Sequence, residues 1–236
     1  MFHFKQFSVK QDKTAMKVGT DGVLLGAWVP VENSRNILDI GTGTGLIALM
    51  LAQRNLNARI TAIDIDENAF IQAMGNISES PWHDRITVIH ESLQKFSKNH
   101  PAKFDLIATN PPFFNNSLHA PDKAKSAARH SHLLPHEDLL IDGKNLLTSN
   151  GKLALILPVA EYQLFSRQAE NFGFYENQNI RIFPTPSKAA VRIMGIWGLQ
   201  KTSENFKEEI IIEKYGRHKY SDEYIALTRE FYLNMA

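Results

Sequence analysis

"LDIGTGTGLIAL", residues 38–49, is the stretch on which the fold turns. The apolar run "NILDI" leads into three glycines at alternate positions, and these lead into "LIALMLAQRN", which is helical in composition. Glycines here permit φ > 0 and let backbone N–H groups approach a ligand closely. The start of the helix adds partial positive charge. Open parallel sheets bind their ligands at such strand-to-helix turns, at the carboxyl ends of the strands.

Outward from this loop the pattern repeats. "RITAIDI" is a β-branched strand, and "DENAFIQAMGNIS" is a helix with Asp66 placed to cap it. "RITVIH" is a third strand and "KFDLIATN" a fourth. "HEDLLIDGKNLL" is an amphipathic helix ended by "TSNG"; "GKLALILP" is a fifth strand, and "EYQLFSRQAENFG" a helix closing on Gly173. Strands alternating with helices imply right-handed parallel crossovers and a sheet covered on both faces. Then the alternation breaks. "YENQNIRIF" and "VRIMGIWGLQ" are joined by "PTPSKAA" with no room for a helix, which predicts an antiparallel hairpin at the sheet edge. "EEIIIE" is a candidate short strand, and "SDEYIALTREFYLNM" a terminal helix capped by Ser221. The first 35 residues form an N-terminal extension, with a hairpin in "FHFKQFSVKQ" and a helix starting at "TDGVLLGAWV". With no linker signal, the expectation is an α/β protein of one domain: extension 1–35, core 36–236, and a seven-stranded, mostly parallel sheet.

Composition narrows the function. Of 236 residues, 43% are hydrophobic, enough for a sizeable core. No cysteine is present, which excludes disulfides, thiolate metal sites and a cysteine nucleophile, and fits a reducing compartment. The start, "MFHFKQFSVKQDK", lacks the apolar run of a signal peptide, and no apolar stretch approaches the roughly 20 residues that span a bilayer. A cytoplasmic protein is expected. The 26 basic and 25 acidic side chains nearly cancel, so any affinity for a polyanion has to come from local clusters. One such stretch, from Asn177 to Ser203, holds Arg181, Lys188, Arg192 and Lys201 without an acid; another, from Ser92 to Phe104, holds Lys95, Lys98 and Lys103. Solvated surface charge explains either stretch as well.

The glycine loop departs from two common nucleotide loops. The dinucleotide fingerprint G-x-G-x-x-G fails because Leu46 stands where its last glycine belongs, and no lysine follows for a phosphate-binding P-loop. G-x-G-x-G preceded by an acid, Asp39, resembles instead the S-adenosylmethionine loop of Rossmann-like class I methyltransferases. The resemblance implies that Asp39, Gly41, Gly43 and Gly45 contact the cofactor. Asp64, at the end of the second strand, is placed to accept hydrogen bonds from ribose hydroxyls. After the third strand, "HESLQKF" corresponds to the adenine-contacting segment of such enzymes. Two readings of Ser92 stand there: a contact to the adenine, or a helix cap.

"ATNPPFF", residues 108–114, ends the fourth strand with an amide, two rigid prolines and two aromatics. [N/D]-P-P-[F/Y/W] at this place marks methyltransferases that act on a planar nitrogen. The lone pair of such a nitrogen is delocalised, so it is a poor nucleophile. The Asn110 side-chain oxygen and the Pro111 carbonyl would accept its N–H groups and aim it at the methyl carbon, with Pro112 holding the turn rigid and Phe113 offering a stacking face. Phe114 reads as a core residue.

Over nearly its whole length the chain resembles the tRNA adenine-N6 methyltransferase family that modifies the adenine 3′ of the anticodon in a valine tRNA. The discriminating segments are "KVGTDGVLLGAW", which in that family helps to close the cofactor pocket, and "YSDEYIALTREFYL". Ser92 departs from the family, many members of which carry aspartate there. The resemblance implies a tRNA anticodon stem-loop as partner and S-adenosylmethionine as cofactor. For the long stretch 115–135, Lys123, Lys125 and Arg129 are candidate RNA contacts, against the reading of a surface loop with incidental charge. Lys188 and Arg192, in "TPSKAAVRIM", are a second candidate patch. A metal site is not expected: His130, His132 and His136 lack a convincing ligand geometry. A monomer is expected. The nearest competitor is methylation of a release-factor glutamine amide, since those enzymes share N-P-P-[Y/F] but differ in front of the glycine loop. DNA adenine methylation lacks a target-recognition domain, a nicotinamide oxidoreductase has no use for "NPPF", and a non-catalytic RNA-binding module has no use for an intact site.

Overall fold

A computed structural model describes residues 1–14, 16–101, 103–112, 134–202 and 206–235. In chain order the elements are β1 (Phe2–His3), β2 (Ser8–Val9), α1 (Thr20–Trp28), β3 (Asn36–Ile40), α2 (Leu46–Arg54), β4 (Arg59–Asp64), α3 (Glu67–Ser78), β5 (Ile86–His90), α4 (Leu93–Asn99) and β6 (Phe104–Thr109). They continue as α5 (His136–Leu146), β7 (Leu147–Pro158), α6 (Val159–Asn171), β8 (Tyr175–Phe183), β9 (Arg192–Gly198), β10 (Phe206–Ile211) and α7 (Asp222–Thr228).

β1 and β2 form a small antiparallel pair; the other eight strands form one sheet in the order β10-β8-β9-β7-β6-β3-β4-β5. All pairings in that sheet are parallel except the two made by β9. Strand β3 shows why the run "NILDI" is apolar throughout. Ile37 packs on one face, in a cluster with α1, α2 and α3, and Leu38 on the other, with α4, α5 and α6. Side chains alternate with period two, and both faces are covered.

The sheet differs from the expectation in two ways. β9 does not lie at an edge. It inserts between β7 and β8, and β10 then pairs with β8 in parallel, making an eighth strand and the outer edge. The terminal helix is also shorter than its sequence suggests. α7 stops at Thr228 because the tail is captured elsewhere: Lys5 N–H donates to Phe231 O at 2.8 Å, Phe4 bridges to Tyr232, and their rings stack.

The N-terminal segment is tied down on its way to the sheet. Asn76 of α3 accepts from Lys10 N–H and donates to Lys10 O and to Thr44 O, so one buried amide joins the segment to the glycine loop. Gln72, one turn earlier, accepts from Lys13 N–H. These bonds carry residues 16–22 over the carboxyl ends of the strands. Strand order reverses at β3, which has β4 on one side and β6 on the other, and such a reversal opens a crevice.

Candidate active site

A cavity of about 500 Å3 lies in that crevice, within the range of small-molecule sites. Its floor is the glycine loop. Gly41, Gly43 and Gly45 have φ of +67°, +57° and +82°, a region that side-chain-bearing residues enter at a cost. The loop is held from below, since Gly41 N–H and Thr42 N–H both donate to Ile63 O, and Gly45 N–H donates to Thr42 O. A Cβ at Gly41 or Gly43 would meet nothing within 4 Å, so both turn toward open space. Gly45 does not. A Cβ there would approach Ile77 at 3.3 Å and Ala73 at 3.5 Å, so this glycine lets α2 sit against α3 and lies off the cavity wall.

Asp39 also lies off the wall. It is fully buried, and its Oδ2 accepts from the Thr42 hydroxyl at 2.6 Å and from Ala48 N–H at 3.2 Å. The acid before the glycines thus braces the loop from behind. Burial pushes its carboxyl up to about 7, the charge of Asp64 pushes the same way, and the bonds from Thr42 and Ala48 oppose the rise. Asp39 and Gly45, both expected as cofactor contacts, make these internal contacts and do not line the cavity, and Asp39 Oδ1 is buried without a hydrogen-bond partner among the described residues.

Asp64 reaches the cavity. Its Oδ2 accepts from Gly43 N–H at 2.8 Å and its Oδ1 from Asp66 N–H at 3.0 Å, while burial raises its pKa against those bonds. Asp66 caps α3, accepting from Asn68 and Ala69 N–H. Beside Asp64 the side chain of Ile65 is 45% exposed on the cavity wall, an apolar surface that the sequence reading missed. Ser92 reconciles its two readings: it lines the cavity and also caps α4, accepting from Lys95 N–H.

Across from Asp64, β6 ends with its geometry pinned. Thr109 donates its hydroxyl to Ile40 O at 2.9 Å, locking the strand end beside the glycine loop. The next residue, Asn110, lines the cavity with Pro111 and Pro112. Its Oδ1 is buried and has no hydrogen-bond partner among the described residues. A buried amide oxygen left without a donor costs roughly 1–3 kcal/mol, a cost that a donor arriving in the cavity would relieve.

The N-terminal segment closes the cavity from above through Met16, Lys17, Val18 and the start of α1, including Asp21. Asp21 has a partner the sequence did not suggest. Arg192 Nε donates to Asp21 Oδ2 at 2.7 Å, so the guanidinium expected as an RNA contact is paired with a residue of the cavity edge. Lys188 is exposed on the turn that follows β8. Phe113, Lys123, Lys125 and Arg129, with His130 and His132, lie outside the described residues. Among the described residues no group of His, Cys, Asp or Glu is arranged to hold a metal, and no helix is long and apolar enough to cross a membrane.

Comparison with known proteins bears on this geometry. A relative from Bacteroides fragilis, the tRNA1(Val) (adenine(37)-N6)-methyltransferase, is 47% identical over 235 residues, covering 99% of this chain and 98% of its own. One from Flavobacterium johnsoniae with the same name is 46% identical over the full length of both. The chain belongs to this methyltransferase family. The model of the methyltransferase small domain matches residues 14–177, which includes the N-terminal closure, the glycine loop and "NPPF". The fold of this methyltransferase is shared more widely. An O-methyltransferase predicted for Agrobacterium tumefaciens superposes with TM-score 0.67 over 89% of this chain and 96% of its own, at 18% identity. A ribosomal protein L11 methylase from Lactobacillus delbrueckii does so with TM-score 0.52 over 76% of this chain and 77% of its own, also at 18% identity.

Proposed function

We propose that this chain transfers a methyl group from S-adenosylmethionine to the exocyclic N6 of an adenine in the anticodon loop of a valine tRNA. The observation that carries the reading is the buried, unpartnered Oδ1 of Asn110, a residue that lines the cavity at the end of β6 next to the glycine loop. Full-length identity to relatives named for this reaction points to the same substrate.

The described residues fit the donor. The open space over Gly41 and Gly43 admits its amino-acid end against exposed backbone, Asp64 keeps lone pairs free for ribose hydroxyls, and Ile65 with the Ser92 segment flanks an adenine. When bound, S-adenosylmethionine supplies an electrophilic methyl on sulfur. Asn110 Oδ1 takes one N–H of the target amine, and the Pro111 carbonyl takes the other. The two acceptors hold the amine with its lone pair toward the donor and stabilise the positive charge that grows on nitrogen. Placing nitrogen and methyl about 3–3.5 Å apart removes much of the entropic barrier. Pro112 keeps the turn rigid, and Phe113 stacks on the base. Lys123, Lys125 and Arg129 grip RNA, as does Lys188. The chain acts as a single domain and as a monomer, and light scattering of the protein with and without tRNA reads its stoichiometry.

The test is to incubate the purified protein with radiolabelled S-adenosylmethionine and either unmodified tRNA or release factors. Label is expected in tRNA, on N6 of the adenine 3′ of the anticodon. Label in protein and not in RNA overturns the reading.

A further inference from the structure

The segment between β10 and α7 has no role in the site above, yet it has unusual local structure. Residues 214–219, "KYGRHK", are all exposed. They form a compact turn closed by Tyr215 N–H to Lys219 O and Lys219 N–H to Gly216 O, and its base is closed by Ser221 N–H to Ile212 O. Gly216 has φ +119°, and His218 has φ +61°, the one positive φ on a residue other than glycine among the described residues. His218 is held there by its own N–H, which donates to Glu213 Oε1 at 2.9 Å. A left-handed non-glycine residue fixed this way keeps its neighbours in set directions, and such outliers cluster at functional sites.

The side chains carried by this turn suit a polyanion. Arg217 and Lys219 have no carboxylate partner among the described residues. The nearby acids are engaged: Glu213 with His218, Glu223 with Lys214 at 3.8 Å, and Asp222 with the Tyr215 hydroxyl at 3.2 Å. Tyr215 is 55% exposed, with Lys214 5.6 Å from its ring centre. Cations interleaved with an exposed aromatic ring are the combination that holds a nucleic-acid backbone and stacks on its bases.

Its position fits as well. Ile212 N–H donates to Phe183 O and Glu213 N–H to Pro184 O, which fastens the turn to the loop after β8 that carries Lys188. Val191, at the far end of that loop, donates to Ile182 O, and the adjacent Arg192 holds Asp21 at the cavity edge. The turn, Lys188 and the cavity mouth therefore share the carboxyl end of the sheet. β10 stands four strands from β6, so the turn is roughly 20 Å from Asn110 at about 4.8 Å per strand.

We infer that the 214–219 turn, with Lys188, is a docking platform for the phosphate backbone of the substrate RNA, gripping it on the β10 flank while the target base enters the cavity. This rests on the reading of the chain as an RNA methyltransferase. The test compares wild type with Arg217→Ala/Lys219→Ala and with Arg217→Glu/Lys219→Glu, using full-length protein and unmodified tRNA. Both positions are exposed, so the folded state tolerates the changes, and calorimetry with S-adenosylmethionine alone checks that the cavity is intact. The alanine pair is expected to raise the Kd and KM for tRNA roughly tenfold or more, and to lower the slope of log K against log salt by about two; charge reversal raises them further. Unchanged tRNA affinity and salt slope in both variants, with the wild type methylating tRNA, overturn the platform and leave the function standing. A wild type that methylates no RNA overturns the function, and the platform with it.

Discussion

On the β4 wall of the cavity Asp64 uses both carboxylate oxygens inside the protein, on Gly43 and Asp66 N–H groups, whereas on the β6 wall Asn110 leaves its side-chain oxygen without a donor among the described residues. The two residues are similar in size and polarity, and both end parallel strands flanking β3. The difference is whether each oxygen already has a donor before any ligand arrives. Asp64 is part of the loop's own hydrogen bonding, so it helps to fix the shape of the glycine loop. Asn110 follows the anchored Thr109 and precedes two prolines, and its oxygen is left as an acceptor. One wall is built to hold, and the other to receive.

The largest effect is expected where that contrast is removed. Asn110→Ala should lower kcat by roughly 10²–10³-fold, as losing one preorganised group at a developing charge does, with the affinity for S-adenosylmethionine near wild type. Single-turnover kinetics alongside calorimetry separates the two quantities; a variant with wild-type turnover would place the decisive acceptor elsewhere. Asp64→Ala should do the reverse. It strands Gly43 and Asp66 N–H groups, at roughly 1–3 kcal/mol each where water cannot replace the carboxylate. The donor Kd should rise about 100-fold, with kcat at saturating donor changed far less. If both substitutions moved kcat and Kd together, the two walls would not be separable in function.

How much of this was legible in the sequence depends on how local each determinant is. The glycine loop, the Asp66 and Ser221 caps, Asp64 at a strand end and Asn110 beside the loop follow from spacing along a few residues, and the structure places them accordingly. Which way a loop residue faces is not local. Gly45 turns to α3 because Ile77 and Ala73 are there, and Asp39 turns inward because Thr42 and Ala48 meet it. Spacing is blind to that. Arg192 finds Asp21 across 171 residues, and β10 finds β8 after a hairpin whose own strand had already taken the inner position. Both are products of the assembled sheet.

Asp39 sharpens the contrast from behind the loop. Its carboxyl is raised to about 7, from an ordinary value near 4, chiefly by burial. Between these values the folded protein holds a proton that the unfolded chain has released. Stability contributed by the protonated form is therefore lost as pH rises through that window, and the loss is complete above about 7. An Asp39→Asn variant keeps a neutral side chain with an acceptor for Thr42 and Ala48. Between pH 5 and 7 the wild type should lose ~1–2 kcal/mol of stability relative to this variant, seen as a difference in melting temperature that shifts in the variant's favour as pH rises. Parallel curves for the two proteins would mean that Asp39 is ionised throughout.

The smallest effect concerns the Arg192–Asp21 pair, where two roles compete for one guanidinium. As a brace the pair is about one-quarter exposed on each side chain and should contribute roughly 0.2–1 kcal/mol. Arg192→Ala and Asp21→Asn should then each lower the melting temperature by no more than about 2–4 °C, and the double variant should cost less than the sum of the two. The salt dependence of tRNA binding should not change in either. A phosphate-gripping arginine behaves differently: Arg192→Ala alone would flatten the salt slope by about one, Asp21→Asn would not, and the two effects would add. The same four proteins thus decide whether the cavity's upper edge is held by a charge pair within the fold or finished by the RNA itself.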